Sequence, residues 1–330
     1  MLSGFIARSE RWPLARPFRI SRGVRTETVV IVVEAYIGEV RGRGESVPYA
    51  RYGETPESVL DQLAVLQRHK PSEVMREGLR TLLPPGAARN AVDCALWDLE
   101  ARMRGKSVSQ LLGHPSPAEY VTAITISIDT PQRMAEAARA LANAPVIKIK
   151  VDAEQPRAMI EAVAKAAPDA RLIVDPNESW TIDTLRELQP FLAGLGRVAF
   201  VEQPLPASRD AALETLQPLV PLCADESVHT SKDLDQVARR YQVINIKLDK
   251  TGGLTEALRL RTAARARKLQ VMIGCMMCTS LSVAPALQLA ASADFVDLDG
   301  PWWLAKDRER GVRINQGRIT VSSPFLWGNH

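Results

Sequence analysis

The stretch Val146-Ile147-Lys148-Ile149-Lys150-Val151 reads as a short apolar strand with two lysines on one face, because residues two apart in a strand share a side. Outward from it the same strand-then-helix rhythm repeats. Strands are predicted at Val121–Ile128, Val146–Val151, Leu172–Asp175, Val198–Glu202, Leu222–Asp225, Val243–Leu248, Val271–Gly274 and Phe295–Leu298. Helical stretches such as Pro131–Ala142, Gln155–Ala167, Ile182–Phe191, Ser231–Arg239 and Thr255–Lys268 fall between them. Eight strands alternating with helices point to parallel β/α units. The polar residues closing the strands, Lys150, Asp175, Glu202, Asp225 and Lys247, lie 25, 27, 23 and 22 residues apart, with Asp297 a further 50 along. That regularity favours an α/β fold of the (β/α)8 barrel type. An open doubly wound sheet competes, but no G-x-G-x-x-G follows its first strand.

Residues 1–115 differ in character. Thr28–Ala35 is a β-branched strand, Val40–Glu45 a second one after the Gly38 turn, and Pro56–Arg68, Ser72–Leu82 and Ala87–Arg104 are helical in period. Pro84-Pro85-Gly86 breaks the chain, and Gly113-His114-Pro115 closes this α+β module. The organisation is therefore 1–115, a barrel over 116–303, and a C-terminal segment over 304–330.

Composition excludes several functions. A chain of 330 residues with 46% hydrophobic and 24% charged content buries an ample core without staples. Forty-two Lys+Arg against 38 Asp+Glu leaves +4, too little to argue for nucleic acid. No apolar run approaches the ~20 residues of a membrane span. Glu10, Arg11, Arg16, Arg19, Arg22 and Arg25 interrupt any signal-peptide core, so a soluble cytoplasmic protein is expected. Four His and four Cys argue against a His-rich metal hydrolase and a disulfide scaffold. The C-x-x-C at Cys275–Cys278 lacks a redox or zinc context, so the cysteines read as buried thiols.

The strand ends carry the chemistry. In a β/α barrel they open into the mouth where reactions occur, and here three consecutive strands finish in Asp175, Glu202 and Asp225. A lone strand-end carboxylate is more often a helix cap. Three in series would repel one another unless neutralised, and hard oxygen ligands with room for water suit Mg2+. Lys148 and Lys150 end the second strand and Lys247 the sixth, diametrically opposed in a ring of eight. Like charge and desolvation would lower a lysine from ~10.4 toward the ~7–8 of a general base. A metal bound to a substrate carboxylate stabilises the enediolate formed when the neighbouring carbon loses its proton. One lysine removing that proton and the other returning one from the opposite face inverts the carbon, which is racemisation or epimerisation. Asp297 and Asp299 end the eighth strand on one side. They suit either a cationic end of the substrate or a turn before Gly300-Pro301.

These residues together resemble the enolase superfamily, in its muconate-lactonising subgroup, and within it the bacterial dipeptide epimerases. The resemblance runs over nearly the whole chain. It is carried by RYGET at Arg51–Thr55, GAARNAVDCALWDLEAR at Gly86–Arg102, IVDPNESW at Ile173–Trp180, ADESVHT at Ala224–Thr230, NIKLDKTGGLTEAL at Asn245–Leu258, GCMMCTS at Gly274–Ser280 and DLDG at Asp297–Gly300. It implies Mg2+ on Asp175, Glu202 and Asp225, with Lys150 and Lys247 as the acid/base pair and Lys148 assisting Lys150 and the substrate carboxylate. The D-x-D of Asp297 and Asp299 marks dipeptide epimerases, where it holds the substrate's α-ammonium group. Interconversion of L-Ala-D-Glu and L-Ala-L-Glu in murein peptide recycling is the implied activity. A capping domain from the N-terminal region and C-terminal tail would close over the mouth. Arg25 is then expected on the glutamate carboxylate, with Tyr52, Cys275 and Met276 lining the pocket.

Pro176 departs from the commoner alanine after the metal Asp, without touching that side chain. His229 reads as a surface or supporting residue, because the metal series is complete without it. Trp302-Trp303 reads as packing between barrel and cap. Related chemistries on the same scaffold are o-succinylbenzoate synthesis, muconate cycloisomerisation and N-acylamino acid racemisation, and a non-catalytic binding barrel is the alternative from another class. Members often form symmetric assemblies, but no patch in the sequence is diagnostic of a homo-oligomer.

Overall fold

A computed structural model describes residues 2–70, 72–114 and 117–328. The expected boundary at Pro115 and Ser116 lies outside the described residues. The N-terminal part is an antiparallel sheet of β1 (Gly4–Ile20), β2 (Gly23–Ile37) and β3 (Val40–Ser46), in that order. The sequence reading passes over β1 because an edge strand tolerates Pro13 and Pro17 and buries little: only Phe5 is fully buried. The helix Ala87–Arg104 lies on β3, where Gly42 and Gly44 let the two backbones meet. A Cβ on Gly44 would stand 2.1 Å from the Ala91 carbonyl oxygen. The helix predicted over Ser72–Leu82 shrinks to Leu79–Leu82. Gly78 sits against the Glu73 carbonyl in a turn that outweighs the apolar period.

β4 (Glu119–Val121) precedes the barrel, so the strand predicted over Val121–Ile128 divides in two. The barrel strands are β5 (Ile124–Ile126), β6 (Val146–Lys150), β7 (Arg171–Asp175), β8 (Val198–Glu202), β9 (Leu222–Ala224), β10 (Val243–Lys247), β11 (Gln270–Gly274) and β12 (Phe295–Asp297). They are parallel and adjacent in chain order. The seam between β12 and β5 is drawn together by Ala123 N donating to Val296 O at 2.8 Å and Leu298 N to Thr122 Oγ1 at 2.9 Å. This is the expected (β/α)8 barrel with a separate antiparallel-sheet domain.

Strand alternation explains where the polar ends go. Ile173, Phe200, Cys223, Val243, Met272 and Phe295 share one apolar cluster, filling the barrel interior. Two residues further along Ile173, Phe200 and Cys223 stand Asp175, Glu202 and Asp225, hence on the same inward side. Among the described residues no helix is long and apolar enough to cross a membrane.

After β12, β13 (Val312–Asn315) and β14 (Arg318–Val321) form a hairpin that pairs with β4. The chain end then reaches the N-terminal domain, where Gly328 N donates to Asp98 Oδ1 at 2.8 Å. The helix Ala87–Arg104 is pinned to the turn after β10: Arg89 Nη2 donates to Thr251 O at 2.6 Å and Asn90 Nδ2 to Asp249 Oδ1 at 2.8 Å. Asp93 accepts from Thr255 Oγ1 at 2.6 Å and Thr255 N at 2.9 Å.

Burial lifts the Asp93 carboxyl to about 6, against the Thr255 hydrogen bonds that pull it down. Between the ordinary aspartate range near ~4 and that value, the native state holds a proton the unfolded chain has released. Stability therefore falls as pH rises from about 4 to about 6. Asp93→Asn is expected to flatten the urea-unfolding free energy across that window, and an unchanged slope would remove Asp93 as its source.

Candidate active site

The barrel mouth opens on a cavity of about 420 Å3 between barrel and cap, lined by Lys148, Lys150, Lys247, Asp297, Asp299, Arg25, Cys275 and Met276 among others. β6 and β10 are four places apart in the ring of eight strands, so Lys150 and Lys247 enter this cavity from opposite walls. Asp175, Glu202 and Asp225 are buried at the ends of β7 and β8 and just past β9. Tyr52 is not brought to this cavity. Its ring lies edge-on to His229, centroids 4.5 Å apart, and lines a neighbouring cavity with Glu226 and Lys250.

The acids and lysines form one ion network. Lys148 Nζ lies 3.0 Å from Asp175 Oδ2, 2.7 Å from Glu202 Oε2 and 2.8 Å from Asp297 Oδ2. It thereby joins the acid series to the D-x-D. Lys150 Nζ donates to Asp175 Oδ2 at 2.5 Å. Lys247 Nζ donates to Asp225 Oδ2 at 2.7 Å and Lys250 Nζ to Asp225 Oδ1 at 2.6 Å. Lysine ammonium groups thus bridge the acids as the side chains stand, and the acids among the described residues are not gathered into a ready ligand cluster.

This arrangement corrects one expectation. Burial and like charge were to lower the lysines, yet Lys148 is held well above the ordinary range: burial pulls it down, but Asp297, Glu202 and Asp175 outweigh that. Lys247 also moves up, because Asp225 overcomes its burial. Lys250 moves down, its burial prevailing over Asp225. Among the acids, burial pushes Glu202 up to about 7. Asp175 falls to about 2 because Lys150 and Lys148 outweigh its burial. Asp299 rises to about 6 through burial and its neighbour Asp297.

Several buried polar atoms around this mouth lack a hydrogen-bond partner, Asn177 Oδ1 and Asn245 Oδ1 among them. Asp297 Oδ1 is buried and accepts no hydrogen bond, and Glu202 Oε2 likewise has only its ion contact with Lys148. Fully buried, hard carboxylate oxygens at the ends of successive strands fit the donor set of a divalent cation of the Mg2+ type. Arg25 sits 4.9 Å above the Tyr49 ring, and among the described residues no carboxylate is ion-paired with it. Trp303 packs on Phe18 of β1, ring centroids 4.6 Å apart, and Arg16 lies 3.9 Å over the Trp302 ring. All four cysteines are free thiols. Burial brings His229 down to about 4, and nearby Lys250 adds to it, so it is neutral.

Sequence reasoning misses several supports. Asn245 Nδ2 donates to Glu202 Oε1 at 2.8 Å. Being two residues before Lys247, it shares that face, and alternation alone could have found it. Gly274 on β11 leaves room for it, since a Cβ there would meet Asn245 Oδ1 at 2.4 Å. Gln203 Oε1 accepts from Asp225 N at 2.9 Å and so fixes the acid's backbone. Lys250 lies in the one-turn helix Leu248–Thr251, too short for periodicity to point it at the barrel.

Comparison with known proteins agrees with this geometry. Residues 3–113 match the mandelate racemase/muconate lactonizing enzyme N-terminal domain and residues 132–324 the enolase C-terminal domain-like family. The L-Ala-D/L-Glu epimerase of Escherichia coli K12 is 48% identical over 94% of this chain and 97% of its own. An N-acetyl-D-glutamate racemase of a Pseudoalteromonas species is 43% identical over 91% of this chain and 95% of its own. An enolase family member from Agrobacterium tumefaciens, solved with sodium and L-Ala-L-Glu, superposes with a TM-score of 0.94 at 44% identity, covering 98% of this chain and 99% of its own. A dipeptide epimerase from Methylococcus capsulatus, solved with Mg and L-Arg-D-Lys, gives 0.88 at 32% identity over 97% of both chains. With both family models and its relatives matching almost its full length, the chain belongs to the enolase superfamily, in the mandelate racemase/muconate lactonizing enzyme group.

Proposed function

We propose that the protein is an isomerase, a Mg2+-dependent dipeptide epimerase that interconverts L-Ala-D-Glu and L-Ala-L-Glu in cytoplasmic murein peptide recycling. The observation that carries this reading is the pair Lys150 and Lys247, on strands four apart, lining one cavity with the unpartnered Asp297 Oδ1. Asp175, Glu202 and Asp225 would hold the metal, which when bound supplies positive charge beside the substrate carboxylate and eases loss of the neighbouring proton.

The chain's own residues do the rest. Asp297 and Asp299 bind the dipeptide's ammonium group, and Arg25 takes the glutamate side-chain carboxylate. One of Lys150 and Lys247, as the free amine, removes the proton from the glutamyl α-carbon. The other, as ammonium, delivers a proton from the opposite wall, and the roles reverse for the other epimer. Lys148, held charged by its three acids, stays a cation beside the substrate carboxylate.

The test is turnover in deuterated water, where each dipeptide takes up one deuterium at the glutamyl α-carbon. No uptake from either epimer by the Mg2+-loaded protein would refute the proposal. Arg25→Met is expected to raise KM about 10–100-fold for the glutamyl dipeptide and little for L-Ala-L-Ala; equal rises for both would free Arg25 of this role.

A second reading is favoured by the racemase relative: racemisation of an N-acylated glutamate, which lacks the amine. Asp297→Asn separates the two. It should cut kcat/KM about 100-fold or more if an ammonium sits there, and hardly affect an N-acetyl substrate.

A further inference from the structure

Two cap loops cover the cavity, the β1–β2 turn that leads to Arg25 and the short turn Ala50–Tyr52. The first is also held by Arg19 N donating to Ser127 Oγ at 2.7 Å, but both loops meet at one barrel residue, Glu178, in the loop after β7. Arg51 grips it as a fork, Nε to Oε2 at 2.7 Å and Nη2 to Oε1 at 2.8 Å. Arg22 Nη1 reaches the same Oε2 at 3.2 Å and the Asn177 carbonyl at 3.0 Å. Arg22 Nη2 also pairs with Glu226 Oε1 at 2.9 Å and donates to Tyr49 Oη at 3.2 Å, which ties the second loop to the first.

Glu178 itself is held in place. Oε1 accepts from Ala207 N at 2.9 Å, and its own N donates to Gln203 O at 2.9 Å. Its φ is +69°, after Asn177 at +47°, a left-handed pair that non-glycine residues keep only where the surroundings impose it. Asn177 N in turn donates to Asp175 Oδ1 at 2.9 Å. The carboxylate is 8% exposed and Arg51 39%. A bidentate pair that shielded is stronger than an ordinary surface pair and still within reach of water.

We propose that Glu178 is a positioning residue: it latches the Arg22 and Arg51 loops over the cavity and thereby sets how tightly the substrate's side-chain end is held, without touching a reacting atom. This rests on reading the cavity as the dipeptide site. A latch outside the chemistry adds to binding of substrate and transition state alike, so its loss appears in KM and not in kcat.

Glu178→Gln keeps the shape and removes the charge. With the Mg2+-loaded full chain and L-Ala-D-Glu, it should raise KM about tenfold and leave kcat within about twofold. Arg51→Gln should do the same, and the double variant should add little more, because the two residues share one interaction. Glu178→Asp should recover part of the affinity. In the ligand-free protein, trypsin should cut after Arg22 and Arg25 about tenfold faster in Glu178→Gln. An unchanged KM, a fall in kcat alone, or strictly additive effects would overturn the latch. Should Glu178→Gln fail to fold, Arg51→Gln carries the same comparison. If the unmodified protein turns over no dipeptide, the functional reading fails, and the trypsin result alone decides the latch.

Discussion

Lys247→Ala and Lys150→Ala are each expected to lose deuterium uptake from one epimer by about 10^3–10^4-fold and to keep it from the other. Loss of net epimerisation alone would say only that a lysine matters. Split exchange says that each lysine serves one face of the α-carbon, because the remaining base still abstracts and returns its own proton. The ion network makes the experiment clean. Asp175 keeps Lys148 at 3.0 Å when Lys150 is removed, and Asp225 keeps Lys250 at 2.6 Å when Lys247 is removed. Neither variant strands a buried carboxylate, so each should fold and the loss is chemical. Equal loss of exchange from both epimers in either variant would refute the division of labour.

The barrel and its acid series were legible because they rest on short-range rules. An inward position on a strand recurs every second residue, so Ile173 with Asp175 and Phe200 with Glu202 announce their side of the sheet. Lys148 and Lys150 were found the same way. The direction of the lysine shifts was not legible, since it depends on how closely three acids from β7, β8 and β12 surround one ammonium group. β1 escapes the sequence reading because it buries only Phe5 fully and its half-buried alternation, Trp12 with Leu14 and Phe18 with Ile20, is interrupted by Pro13 and Pro17. Tyr52 lines an adjoining cavity, and sequence does not orient the turn that carries it, which ends at Gly53 with φ +76°. The Arg22–Glu178–Arg51 latch joins loops more than a hundred residues apart, and no local pattern reports such a meeting.

The acid side of the network gives a second large effect, in stability. Asp225→Asn removes the charge shared by Lys247 and Lys250, both buried, Lys250 completely. Lys250 keeps the backbone carbonyls of residues 225 and 245, at 2.5 and 2.9 Å, and at most the neutral amide oxygen of the new side chain, and such dipoles do not compensate a full charge away from water. Breaking a buried pair from one side typically costs about 3–5 kcal/mol, because the partner charge is left behind. Urea unfolding of Asp225→Asn should therefore show a midpoint lowered by a cost of that size, along with loss of activity. Adding Lys250→Met removes the stranded ammonium group and should return part of the stability but none of the activity, since the acid itself is still missing. That separation distinguishes an acid that neutralises lysines from one that also serves the reaction. A protein as stable as the unmodified chain after Asp225→Asn would mean that the lysines find other partners, and the network drawn around Asp225 would have to be abandoned.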